Sequence, residues 1–223
     1  MNSKLVSIFF VMFVSSDVFS QIGTNSPYSR FGLGDLQNNV ISEFSALGGG
    51  STAIMNSKTI NPYNPATYTG FGTNSFLFST GGSHRTISIM NANESKIANN
   101  TVFSHVILGF PVNKKIGASI GILPYSNIGY ELMSNDEDYD AELYYLGDGG
   151  ISKIYFGGSY KLSDNLSIGI NGSYLFGSLN RRKKLVFNDD SFLNSRANSK
   201  INLKGYYYEL GLFYKRFISS DEE

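Results

Sequence analysis

From about residue 73 onward the chain alternates apolar and polar positions with a period of two. The clearest stretch runs from Leu166 to Phe176. Leu166, Ile168, Ile170, Tyr174 and Phe176 share one face with Gly172, while Ser167, Gly169, Asn171, Ser173 and Leu175 share the other. Two further stretches repeat the pattern: Ile116, Ala118, Ile120 and Ile122 against Gly117, Ser119 and Gly121, and Ile154, Phe156, Tyr160 and Leu162 against Lys153, Tyr155, Ser159 and Lys161. This alternation predicts half-buried strands. Two architectures fit it: a soluble sandwich whose apolar face turns inward, and a membrane barrel whose apolar face meets lipid while the small polar face lines the lumen.

The connections favour the barrel. Pro111–Lys115 and Ser163–Asn165 read as short turns, whereas 91–100, 135–150 and 188–200 read as longer polar loops. Short and long connections in alternation are the mark of periplasmic turns and extracellular loops. The reading predicts six strands, at about 73–90, 101–110, 116–132, 149–162, 166–187 and 201–216. Phe110, Tyr160 and Tyr214 fall where an inner aromatic girdle belongs. Eight strands is the usual minimum for a closed barrel, and Ser219–Glu223 reads as the start of a further turn. Six strands are therefore expected to be the front part of a larger barrel.

The N-terminus supplies an address. Lys4, the apolar run Leu5–Val14 and small side chains near Ser20 read as a secretory signal cleaved before Gln21. The run is too short for a transmembrane helix, and no later window is apolar enough to be one. A membrane location then requires a barrel, since only helices and closed sheets satisfy their backbone in lipid. Residues 21–72, rich in Asn, Ser, Gly and Pro, read as turns without a sustained strand.

Composition narrows the function classes. The 223 residues carry 18 basic and 18 acidic side chains, a balance that gives no basic footprint for nucleic acid. There is no Cys, so neither a disulfide nor a thiolate metal site can form. His84 and His105 stand apart without a nucleophile or carboxylate signature, so no enzyme, no metal and no cofactor is expected. Asp136, Glu137, Asp138, Asp140 and Glu142 form an acidic stretch, but Ala141 and Gly147 stand where a calcium loop needs Gly and Glu. Arg181–Lys184 is a basic run near the outer end of the fifth strand; it is either a solvated loop edge or a cradle for lipopolysaccharide phosphates.

Three patches carry a family resemblance: Asn25-Ser26-Pro27-Tyr28-Ser29-Arg30-Phe31-Gly32-Leu33-Gly34-Asp35; Ala46-Leu47-Gly48-Gly49-Gly50-Ser51-Thr52-Ala53 with Ile60-Asn61-Pro62-Tyr63-Asn64-Pro65-Ala66; and Gly121-Ile122-Leu123-Pro124-Tyr125-Ser126-Asn127-Ile128-Gly129-Tyr130. Together they resemble the FadL/TodX-like outer-membrane transport proteins of Bacteroidota-type bacteria. The resemblance implies an all-β, transmembrane antiparallel up-and-down barrel of fourteen strands with an N-terminal hatch in its lumen. It implies a signal peptide at 1–20, the hatch at 21–72 and barrel strands from 73 to 223. It further implies passage of hydrophobic small molecules such as long-chain fatty acids. Some relatives in that branch serve protein secretion, so the alternative is an outer-membrane interaction protein without solute transport. Expected partners are outer-membrane lipid and lipopolysaccharide, a hydrophobic solute and an envelope protein.

The motif residues make physical sense as a stiff junction. Pro62 and Pro65 fix their own φ and push Asn61 and Asn64 to extended geometry. The Asn61 and Asn64 amides can bond turn backbone groups, and Ala66 closes the motif. Arg30 beside Tyr28 and Phe31 is a candidate ligand contact, a cation next to apolar rings. A plain salt bridge to the wall, with Glu209 or Lys153 as wall partners, is the simpler expectation. Gly48–Gly50 reads either as backbone at positive φ or as a flexible linker.

Overall fold

In a computed structural model, residues 24–37, 41, 44, 47–90, 95–136, 140–189 and 191–216 are described. The expected export signal, Ala46 of the second patch, the acidic residues Glu137 and Asp138 and the expected terminal turn at 219–223 lie outside the described residues.

The fold is all-β. After a 3-10 turn, η1 (Pro27–Arg30), and the two-residue strand β1 (Asp35–Leu36) comes a second 3-10 turn, η2 (Pro65–Gly70). Six long strands follow: β2 (Leu77–Met90), β3 (Ser95–Pro111), β4 (Ile116–Asp136), β5 (Ala141–Lys161), β6 (Leu166–Phe187) and β7 (Ser195–Tyr214). Each pairs antiparallel with its sequence neighbours, in the order β2-β3-β4-β5-β6-β7, and β1 adds to β4. Among the described residues β2 and β7 do not pair with each other, so these strands form an open up-and-down sheet.

The expected strands are all present, but most are longer than the alternation predicts. β3 begins at Ser95 rather than 101, β5 at Ala141 rather than 149, and β7 at Ser195 rather than 201. The three long loops consequently shrink to 91–94, 137–140 and 188–194. Ala141 and Gly147 are strand residues, which removes the calcium-loop reading. The cause is composition. The outer strand ends are built from Asn, Ser, Lys and Tyr, which give no apolar alternation but still complete the backbone ladder. The asymmetry between the two ends is thus one of strand overhang, not of loop length.

The two faces of the sheet differ in kind. One carries the N-terminal segment, and its buried residues include Ser119, Ser159, Ser167, Asn171 and Ser173. The opposite face is apolar and bare. The register aligns it in rows across the strands: Phe78-Leu108-Ile120-Phe156-Gly172-Tyr208 and Val106-Ile122-Ile154-Tyr174-Tyr206. Phe78, Ile120, Ile154, Phe156, Tyr160, Ile168, Ile170, Tyr206, Leu210, Leu212 and Tyr214 on it are all exposed. Among the described residues no second sheet covers this apolar face.

The hydrophobic core lies instead between the polar face and the segment. Ile41, Phe44, Ile60, Tyr68 and Phe71 of the segment pack on Ile107, Leu123 and Tyr155 of the wall. A second cluster, Ile128, Tyr130, Ile151 and Leu179, lies further along the same face. Keeping both on one face requires a change of phase in β4. Odd positions face the segment up to Leu123, and a bulge between Pro124 and Ser126 then brings Ser126, Ile128 and Tyr130 to that face. Pro124 has no N–H to give a ladder and suits a bulge.

Candidate functional site

The seat of the N-terminal segment begins with glycine. Gly109, Gly117, Gly157, Gly169 and Gly211 sit on β3, β4, β5, β6 and β7, all on the segment-bearing face. A Cβ would collide at Gly117 with the Tyr68 backbone, at Gly157 with Asn171 and Tyr68, at Gly169 with Pro65 and Ala66, and at Gly211 with Asn64, Pro65 and Ala66, and at Gly109 it would press tightly on the Ile60 and Phe71 side chains. Together they make a shelf on which η2 lies directly against the sheet backbone. These five positions were invisible as a group in the sequence, because only strand register brings them side by side.

The Asn-Pro-Ala motif staples the segment to that shelf. Pro65 occupies the first turn of η2, where its missing N–H costs nothing. Asn64 is extended (φ −134°, ψ 94°) and caps the turn by accepting from the Ala66 N–H. Its amide nitrogen donates to Thr52 O within the segment at 2.8 Å and to Leu212 O of β7 at 3.2 Å. Asn61, fully buried, donates to Ser51 O at 2.6 Å and Ile54 O at 3.3 Å. The Gly48–Gly50 stretch is a defined turn, with Gly48 at φ 64° and Gly49 at φ 85°, rather than a linker without structure.

Beside the shelf runs a buried polar chain. The Tyr68 hydroxyl donates to Asn171 Oδ1 at 3.0 Å. Asn171 Nδ2 donates to Pro62 O at 2.8 Å and approaches Glu209 Oε2 at 3.5 Å. Glu209 takes Lys153 Nζ in a two-pronged contact at 3.0 and 3.2 Å. Tyr155 and Ser119 share a hydrogen bond of 2.8 Å below. Burial, with the Glu209 charge as a lesser cause, raises the Tyr63 phenol pKa, and burial raises that of Tyr68 well above its usual value. A cavity of about 250 Å³ opens onto this chain, lined by Leu36, Gln37, Tyr63, Tyr125, Tyr207 and the Lys153–Glu209 pair among others. The Tyr63 hydroxyl is buried without a protein partner.

Lys153 and Glu209 therefore pair with each other and not with Arg30, as the wall-partner expectation had it. Two wall residues two rows apart on the polar face satisfy one another locally, and Arg30 lies elsewhere. Its guanidinium stacks on the Tyr145 ring at 4.0 Å. Ser29 of η1 exchanges hydrogen bonds with Gly129 of β4. Tyr28 and Phe31 are 81% and 70% exposed, so the three residues do not converge on one pocket. The run Arg181–Lys184 also divides by strand parity. Arg181 reaches Gly32 O and Lys183 lies over Tyr145 on the segment side, while Arg182 and Lys184 point to the other face. His105 is buried between Ser79 and Ser104. Among the described residues no group of acidic or His side chains is arranged to hold a metal ion.

The cavity between segment and wall is small and holds an ion pair, whereas an apolar hollow of about 670 Å³ lies on the bare face among Ile116, Tyr160, Ile168, Ile170, Leu210 and Leu212. It forms where the register sets small Ala118 beside Gly158 in a row otherwise filled by Phe110, Ile170 and Leu210. Searches for similar curated proteins and similar solved structures find no match. The family model that does match spans residues 1–223 and is described as BamG. This overturns the FadL/TodX-like resemblance. The patches that suggested it are η1 with the start of β1, the glycine turn with the Asn-Pro-Ala staple, and the β4 bulge, all of which seat an N-terminal segment on a strand wall and so are poor evidence of one transport family. The chain belongs to the BamG family.

Proposed function

We propose that this chain is an outer-membrane β-barrel protein that works as an interaction component of the machinery assembling other outer-membrane barrels. The family assignment is the observation that carries this reading, since the name BamG suggests an outer-membrane assembly-related protein. In this reading residues 1–20 are the export signal, 21–72 a plug, and the strands from 73 onward a barrel wall. The protein binds and positions; it is not an enzyme.

The bare face supports the membrane part. From Leu166 to Phe176, at about 3.3 Å per residue and a tilt of about 40°, the apolar band is about 25 Å tall, the height of a lipid-facing belt. Tyr174, Phe176 and Tyr206 mark one rim and Tyr160 and Tyr214 the other. The plug supports the binding part. Pro62, Asn64, Pro65 and Ala66 fix it to the wall and Asn61 braces it from within, while Tyr28 and Phe31 stay uncovered beside the stacked Arg30. Those three are the residues offered to an envelope protein partner, aromatic and Arg side chains being common interface anchors.

Affinity purification of the tagged protein from detergent-extracted outer membrane tests the reading. A central barrel-assembly protein is expected to co-purify, and depletion is expected to lower the amounts of other outer-membrane barrels. Isolation of the protein alone, with barrel levels unchanged on depletion, would refute it.

A further inference from the structure

Strand parity assembles a cationic cluster that no contiguous stretch of sequence contains. On the bare face of β6 and β7, beyond the apolar belt, stand Arg182, Lys184, Arg196, Lys200 and Lys204, all exposed. Lys184 lies directly opposite Arg196 in the ladder. Arg182 faces Asn198, which places it diagonally between Arg196 and Lys200. Like charges set directly opposite one another destabilise a sheet. Two carboxylates on this face are already engaged: Asp148 takes Arg182 at 2.6 Å and Asn180 at 2.8 Å, and Glu142 takes the Tyr144 hydroxyl at 2.6 Å; Glu131 shares the row of Arg182 but stands two strands away, on β4. Arg182 is thus the one member of the five with a carboxylate partner among the described residues, and Lys184, Arg196, Lys200 and Lys204 leave a site for an external anion.

Its height identifies the anion. Lys204 pairs with Phe176 at the rim of the belt. Lys200 stands four residues further out and Arg196 eight, so with the same rise and tilt they lie about 10 and 20 Å above that rim. A phospholipid headgroup layer is only about 5–7 Å deep. Phospholipid phosphate therefore reaches Lys204 and stops short of the rest. A phosphorylated glycolipid, whose charged sugars rise above the acyl chains, spans the whole cluster while its chains lie on the belt below. Arg and Lys are the side chains that hold phosphate, through charge-assisted and bidentate bonds.

We propose that the Arg182, Lys184, Arg196, Lys200 and Lys204 face of β6 and β7 binds the phosphates of lipopolysaccharide in the outer leaflet. The proposal rests on the membrane orientation given under Proposed function. The clamp neutralises the Lys184–Arg196 repulsion and fixes how deep the outer strand ends stand in the membrane.

The test uses the full chain purified in detergent, with lipopolysaccharide, enzymatically dephosphorylated lipopolysaccharide and phosphatidylglycerol as probes. Retained lipid is read by native mass spectrometry. The triple variant Lys184→Gln/Arg196→Gln/Lys200→Gln is expected to lose at least tenfold in lipopolysaccharide retention. Lys183→Gln, on the other face of the same run, is expected to retain it unchanged, and dephosphorylated lipopolysaccharide to bind wild type as weakly as the triple variant binds the intact form. Equal retention by the triple variant and wild type overturns the proposal. So does equal binding of the dephosphorylated form, or displacement by phosphatidylglycerol at matched concentration. Should the triple variant fail to fold, Lys200→Gln, a single exposed change, is read by the same measure against an expected threefold loss. Carbonate extraction of membranes reports separately on the orientation: a protein released by it refutes the membrane reading, whatever the lipid result.

Discussion

Tyr68 of η2 and Asn171 of β6 are joined by a hydrogen bond of 3.0 Å across a separation of 103 residues, and the same Asn171 amide holds Pro62 O at 2.8 Å. One wall side chain thus grips the N-terminal segment at two points. Asn171→Leu keeps the volume and removes both bonds, leaving buried polar atoms unpaired at about 1–3 kcal/mol. Unfolding of the purified protein and protease release of the segment are both expected to become easier. In a double-mutant cycle with Tyr68→Phe a coupling of about 1 kcal/mol is expected; additive losses would mean that the two residues do not act together.

Lys153 and Glu209 are nearly buried, with side chains 10% and 17% exposed. Removing one partner strands the other charge, so Lys153→Met is expected to cost about 3 kcal/mol. The pair Lys153→Met/Glu209→Leu is expected to recover most of that loss, since apolar side chains of similar volume can replace a buried ion pair. Denaturant midpoints of the three proteins decide. A double variant as unstable as the single one would show that the pair does more than neutralise itself.

The glycine shelf makes a contrast between the two faces. Gly169→Val drives a side chain into Pro65 and Ala66, an overpacking worth about 1–3 kcal/mol. Gly158 lies on the bare face with nothing within 4 Å of an added Cβ. Gly158→Val is therefore expected to be neutral within about 0.5 kcal/mol. Limited proteolysis of residues 24–76 should accelerate in the first variant and stay unchanged in the second.

Burial raises the pKa values of Tyr63 and Tyr68 above the ordinary 10.0 of a phenol. A folded pKa above the unfolded one favours the protonated form on folding. The contribution is complete below about pH 10 and fades as pH climbs toward the folded values. Alkaline titration is expected to show a late phenolate absorbance step that coincides with protease sensitivity of the segment and is diminished in Tyr68→Phe.

Much of the wall was legible in the sequence, because Leu166 to Phe176 and Ile116 to Leu123 alternate cleanly and the turns at 112–115 and 162–165 break them. The strand extensions were not, since Ser195–Lys200 and Ala141–Asp148 show no apolar alternation and are held by the ladder of their neighbours. Asn61, Pro62, Asn64, Pro65 and Ala66 were recognisable as a stiff junction; the structure sets Asn64, Pro65 and Ala66 on the shelf, Pro62 O against Asn171, and Asn61 inside the segment. Asn171, Glu209 and Lys153 were legible only as polar residues on the lumen side. Their convergence depends on register across β5, β6 and β7, which one sequence does not display. The family was misread for a related reason: short Gly, Pro and Asn patches report backbone geometry, and different proteins share that geometry.

The staple from Asn64 to Leu212 spans 148 residues, and the exchange between Ser29 and Gly129 spans 100. The segment precedes in the chain every strand it needs. Contacts of such separation form late, because the loop entropy between them must first be overcome. The early part of the sequence thus stays unsettled while strand adds to strand, and docks once β7 offers Leu212. A seated segment serves as a completion signal: protease resistance of its Asn-Pro-Ala turn during refolding marks the moment when the wall, through β7, is in register.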